Sequence, residues 1–214
     1  MLLMKIVSAM RASVVAIAIV CSSCGCTSNT PQASPSASSE KIAFHADYPN
    51  YPSLEAALST ADAVVAGTLL GSREDLLRPD VPTDIDSPLA NPQAGTTADR
   101  NDPELTLPVT IATIKVTQTM KGAVKVGTTI DVTQYGGKKN GTLYQELDTV
   151  LFHNTSAKEF VLLLRNQGDR FNLINPTQGA WARTGNTLAG LTNGTASPYD
   201  VHTIDEVTKA ASKL

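Results

Sequence analysis

The chain has 214 residues, enough for one domain with appendages, and carries 17 basic and 20 acidic residues. With Lys5 and Arg11 of the N-terminal segment set aside, 15 basic residues face 20 acidic ones, a formal −5 that excludes the basic footprint of a nucleic-acid-binding domain. Aromatic residues make up only 5% while β-branched residues are plentiful, and the three cysteines, Cys21, Cys24 and Cys26, lie near the N-terminus, so the remainder is expected to be β-rich without disulfide or thiolate metal site.

Met1 to Cys26 opens with Lys5 and Arg11, continues through the apolar Val14–Val20, and ends in Ser22-Ser23-Cys24-Gly25-Cys26. The apolar run is shorter than the roughly 20 residues of a spanning helix and suits the core of an export signal. A cysteine following small residues at that point resembles the lipobox of bacterial lipoproteins. The resemblance implies a signal peptide over 1–23, diacylglycerylation of the Cys24 thiol and cleavage before it. Cys21 stands where that family usually has leucine, and Cys26, preceded by Gly25, is the alternative acceptor. Residues 24–40, with the Ser/Thr/Ala/Pro-rich TSNTPQASPSASS over Thr27–Ser39, read as a disordered tether. A coil of that length would hold a domain roughly 20 Å from its anchor. The partner so implied is the membrane, through lipid, on the outer face of the bacterial cytoplasmic membrane.

Residues 41–214 are expected to form the folded domain. Ser53 to Ala61 places Leu54, Ala57, Leu58 and Ala61 on one helical face, with Ser53 at the N-cap. Ala63 to Leu70 is apolar on both faces, the pattern of a covered strand. From Arg73 to Glu104 the chain is acidic and rich in proline, and it reads as a disordered insertion. Asp80, Asp84 and Asp86 lie within it, without the glycine and closing glutamate of a calcium loop.

Leu105, Leu107, Val109 and Ile111 alternate on odd positions, and Ile114, Val116 and Met120 on even ones. A period of two changes phase only through an extra residue, which predicts a bulge or bend near Ala112-Thr113. Lys121-Gly122-Ala123 then turns the chain into a return strand with Ile130 and Val132 on one face. Tyr135-Gly136-Gly137, followed by Lys138 and Lys139, reads either as an anion cradle of backbone amides or as a connection needing positive φ. Leu143 to Ser156 is expected to be a loop with a turn of helix.

Glu159 to Leu164 is a second two-faced strand, returning through Asn166–Asp169 into Arg170–Ile174. Pro176-Thr177-Gln178-Gly179 leads to the single tryptophan, Trp181, which reads either as core or as an exposed stacking platform, and Gly185-Asn186 turns into Thr187-Leu188-Ala189. Thr203-Ile204-Asp205-Glu206 has the pattern of a capping box, opening a helix with Ile204, Val207, Ala211 and Leu214 along one stripe.

The segments ADAVVAGTLL, VTIATIKVTQTMKGAVKVGTTIDVTQYGG, KEFVLLLR and NPTQGAW together resemble a group of small exported bacterial barrel domains. In layout they are similar to netrin-like and metalloproteinase-inhibitor barrels. The resemblance implies an OB-like all-β domain, a curled sheet or barrel of five to seven strands with a short helix at each end. Those inhibitors use an N-terminal disulfide-bonded cysteine, which this domain lacks, so their inhibitory residues do not carry over.

His45, His153 and His202 show no metal-ligand spacing, no G-x-S-x-G elbow is present, and neither a metal nor another cofactor is expected. The expected function is a non-catalytic binding module of the bacterial cell envelope, taking an envelope protein, peptide or glycan on a surface that joins Tyr135, Gly136 and Gly137 to Gln178 and Trp181. The alternatives are a hydrolase using His153 near Ser156, and an inhibitor of an envelope protease.

Overall fold

The computed structural model describes residues 40–78, 106–191 and 199–214. The first half of the chain runs β1 (Lys41–Phe44), α1 (Leu54–Thr60), β2 (Ala63–Leu77), β3 (Leu107–Lys121), β4 (Thr129–Tyr135), β5 (Gly137–Lys139) and β6 (Thr142–Glu146). After a 3₁₀ turn (Phe152–Asn154) come β7 (Glu159–Asn166), β8 (Phe171–Leu173), β9 (Ala180–Thr184), β10 (Thr187–Gly190) and α2 (Ile204–Ala211). Cys24 and Cys26, the tether up to Ser39 and the acidic stretch beyond Arg78 lie outside the described residues.

Five strands close a ring. Antiparallel pairings join β7 to β2, β2 to β3 and β3 to β4; β8 then lies parallel to β4 and antiparallel to β7. This is an all-β barrel with OB-like strand order, closed by a short strand between the third and fourth members of the ring. Beyond β8 the chain continues along the same edge of β7 as β9, with β10 as its hairpin partner. A separate small sheet has the order β1-β6-β5, with β1 parallel to β6.

The two-faced runs are buried on both sides. Ala63 and Val65 of β2, with Phe160, Leu162 and Leu164 of β7, point into the barrel beside Ala112, Ile114 and Val116. Val64, Ala66, Val161 and Leu163 face the other way, where Ala57 and Leu58 of α1 and Ile204, Val207 and Ala211 of α2 cover them. Ser53 accepts from the Ala56 N–H at 3.2 Å, and the Thr203–Glu206 capping box forms as its sequence spacing implies. Among the described residues no helix is long and apolar enough to cross a membrane.

The bend falls opposite the predicted place. β3 pairs with β4 without interruption from Val109 to Lys115, so no bulge sits at Ala112-Thr113. The unopposed residue there is Leu70 of β2, between Leu69↔Ile114 and Gly71↔Thr113, and β3 carries two further irregularities nearer its end. The phase change in the apolar pattern has another cause: the start of β3 is buried on both faces, with Val109 and Ile111 opposed to Ala112 and Ile114. A methyl group added at Gly137 would meet the Val109 carbonyl oxygen at 3.1 Å, which shows how closely β5 crosses that second face. The bulges let two 15-residue strands coil as they pass around the barrel.

The first residues of the segment read as a disordered insertion are strand. Arg73 to Leu77 continue β2, paired from Arg73↔Ile111 to Leu77↔Leu107. Their charges have partners across the sheet: Arg73 Nη2 lies 2.7 Å from Asp131 Oδ2, and Arg170 Nη1 lies 3.2 Å from Asp75 Oδ2. The hydrogen bond from Arg73 holds the Asp131 carboxyl below the usual carboxylate range, against the opposing effect of partial burial and with help from the Thr113 hydroxyl. Because the folded-state value is depressed, the stabilisation is complete above the unfolded value of about 3.9 and is lost as pH falls through the folded one. The urea midpoint of the natural chain should exceed that of Asp131→Asn by a constant gap from pH 7 to about 5, closing below about 4. A gap that persists unchanged to pH 2 would contradict the assignment.

Candidate functional site

At Gly136 the chain leaves the barrel sheet and enters the small one. Its φ of 109° favours glycine, and an added Cβ would stand 3.2 Å from the Tyr144 carbonyl oxygen. The Gly136 N–H donates to the Pro108 carbonyl at 3.1 Å, and the Thr110 hydroxyl donates to the Gly136 carbonyl at 2.8 Å. With that amide committed to β3 and both glycines at positive φ, the pair acts as a connection between the sheets.

A cleft of about 310 Å3 opens beside this connection. Tyr135 and Gly136 form one side, Leu143 to Glu146 of β6 another, and Thr149 to Leu151 with Asn154 the third. The third wall is fastened by Gln134, which is buried: its Nε2 donates to the Val150 carbonyl at 2.9 Å, and its Oε1 accepts from the Phe152 N–H at 3.0 Å. Phe152 in turn stacks on Phe160 with ring centroids 4.5 Å apart. Of the stretch expected to be loop with a turn of helix, Leu143 to Glu146 are strand and Phe152–Asn154 are the helical turn, which packs Phe152 into the barrel core while Thr149–Leu151 and Asn154 supply a wall of the cleft. Behind Tyr135 the ring of Tyr48 packs at 6.3 Å, and burial, followed by the nearby Glu146 carboxylate, pushes its hydroxyl pKa well above that of an ordinary tyrosine, against the lowering effect of Thr149.

Next to the cleft three polar side chains converge. His45 Nδ1 lies 3.2 Å from Asp148 Oδ2 and 3.9 Å from Glu146 Oε1. The Glu146 side chain is 0% exposed, while those of His45 and Asp148 are 64% and 41% exposed. Backbone donors fix the buried carboxylate: the Ala46 N–H reaches Oε1 at 3.1 Å and the Asp148 N–H reaches Oε2 at 3.0 Å. The parallel pairing of Phe44 with Glu146 brings together residues a hundred positions apart, which is why the histidine spacing along the sequence gave no sign of them.

The surface expected to join Tyr135, Gly136 and Gly137 to Gln178 and Trp181 does not exist as one patch. Tyr135 and Gly136 line the cleft, and Gly137 is buried beneath β3. Trp181 is 1% exposed, within the apolar layer shared with α1 and α2, because β9 turns that face inward beneath the helices. Gln178 is also buried, with its amide engaged by backbone and side chain of the segment before α1: the Tyr51 N–H donates to Oε1 at 2.9 Å, and Nε2 donates to Asn50 Oδ1 at 2.8 Å. Both therefore belong to the packing of the domain. His153 is exposed on the 3₁₀ turn, and no hydrogen bond connects it with Ser156.

Comparison with protein-family models, with curated proteins and with solved structures gave no match to this chain.

Proposed function

We propose that the chain is a bacterial lipoprotein whose barrel works as a non-catalytic binding module at the outer face of the cytoplasmic membrane. Diacylglycerol on Cys24, with Cys26 as the alternative acceptor, would hold it there. The observation that carries the binding half of this reading is the cleft of about 310 Å3 between small sheet and barrel, a volume at the lower end of the range for small-molecule sites. Its lining combines two tyrosines, Tyr135 and Tyr144, with the apolar Leu143 and Leu151 and the amide of Gln145. Flat amphipathic rings beside a few hydrogen-bonding groups suit a peptide or glycan fragment of the envelope. The acidic balance of the chain disfavours nucleic acid.

Backbone NMR of the isotope-labelled protein during titration with soluble glycan and peptide fragments of the envelope tests the binding half. Shifts should cluster at Tyr135–Gly136 and Leu143–Gln145, and Tyr144→Ala should abolish them. Fragments that leave those amides untouched, or that perturb another face, would overturn the reading. For the anchor, a clickable fatty acid fed to expressing cells should label the natural chain and not Cys24→Ala; label lost only in Cys26→Ala would move the acceptor.

A further inference from the structure

His45, Glu146 and Asp148 come from the end of β1, the end of β6 and the turn that follows, and present one imidazole and two carboxylates to a common point. Their ligand atoms all lie within 4.8 Å of one another. A tetrahedral ion bound at about 2.0–2.2 Å separates its ligand atoms by roughly 3.3–3.6 Å, and the two histidine–carboxylate distances, 3.2 and 3.9 Å, lie on either side of that spacing.

The second observation is the burial of Glu146. A carboxylate taken fully out of water is costly unless a positive charge accompanies it. Among the described residues no lysine or arginine pairs with Glu146, and His45 is the only basic group at ion-pair distance. The two backbone N–H groups that orient the carboxylate carry no net charge, and each of its oxygens retains a lone pair. Partly exposed His45 and Asp148 give a cation a way in from solvent.

We propose that His45, Glu146 and Asp148 form a binding site for a zinc-type divalent cation at the edge of the small sheet. Imidazole with two carboxylates and a low ligand number favours zinc and its first-row neighbours over calcium, which takes six to eight oxygens, and magnesium, which keeps its water. Three protein ligands leave a coordination position for water or for a donor group of a bound molecule. The ion would supply the positive charge that Glu146 lacks and would clamp β1 to β6. The cation site stands whether or not the neighbouring cleft takes a ligand.

Cobalt(II) is the probe, titrated into the full chain under reducing conditions and followed by absorption, because thiolate ligands give an intense charge-transfer band that nitrogen and oxygen ligands do not. One equivalent should bind with ligand-field bands alone and be displaced by zinc. His45→Ala and Asp148→Asn, both at partly exposed positions, should each weaken binding by at least the roughly ten- to hundredfold that loss of a mere supporting partner costs a metal site. Thermal unfolding of both variants in the presence of chelator should match that of the natural chain. Glu146→Gln should also lose the ion, but its burial makes the two exposed variants the deciding ones. Absence of binding, a thiolate band alone, nitrogen–oxygen binding that survives both exposed substitutions, or displacement by calcium or magnesium as effective as by zinc would overturn the proposal.

Discussion

Trp181→Ala is expected to cost about 3–5 kcal/mol of folding stability, the range for removing a large aromatic side chain from a packed core. The indole is 1% exposed and is packed among Leu188, Val201, Ile204 and Val207, with the Tyr199 ring 6.4 Å away. No alanine at this position could fill the space between β9 and the two helices, and those helices, of seven and eight residues, are too short to hold together without it. Urea unfolding followed by far-ultraviolet circular dichroism gives the number directly. A loss below about 1 kcal/mol would mean that the residue lies at a tolerant surface, contrary to its position here. Ligand affinity measured on the fraction that remains folded should be unchanged, since the cleft is lined by Tyr135, Gly136, β6 and the Thr149–Asn154 segment, and the tryptophan does not line it.

Gln134→Leu, which keeps the approximate size of the side chain, should cost about 2–4 kcal/mol by leaving one buried and one partly buried backbone group without partners. The Val150 carbonyl and the Phe152 N–H both depend on that one amide. Their release frees the segment that carries Phe152 into the barrel and forms one wall of the cleft, so stability and ligand binding should fall together. Hydrogen exchange at the Phe152 amide is the direct check: protection near the global value in the natural chain, and exchange through local opening in the variant. An unchanged Phe152 amide would show that the wall is held by something else.

The elements that were legible in the sequence are those whose signal is local. Val64-Val65 and Leu162-Leu163 announce strands with cover on both faces, and Thr203 with Glu206 announces a helix start; each reading needs only a few adjacent residues. The Gly185-Asn186 turn between β9 and β10 belongs to the same class. The small sheet was not legible. Leu143-Tyr144-Gln145-Glu146 alternates without a clean apolar face, and one of its two partners is Lys41–Phe44, a hundred residues earlier in the chain. The Asn140-Gly141 turn marks the hairpin with β5, but the parallel pairing with β1 leaves no turn to mark it. The candidate site shares that fate: Tyr135 and Gly136 stood out through the glycine pair, while His45, Tyr144 and Asp148 acquire meaning only once β1 lies beside β6. For Trp181 the core reading holds and the binding-surface reading does not, because one aromatic residue after a turn carries no sign of which face it occupies.

β1 is four residues long, has β6 as its only neighbour among the described strands, and stands at the N-terminal side of everything else in the domain. A force transmitted along the backbone from that side reaches Lys41 before any strand of the closed ring. The first bonds it strains are those between β1 and β6, starting with the Leu143 N–H to Glu40 carbonyl and ending at the His45–Glu146 contact, and the ring can keep its own ladder while they part. Peeling four residues thus dismantles one edge of the small sheet while the pairings of the closed ring stay in place.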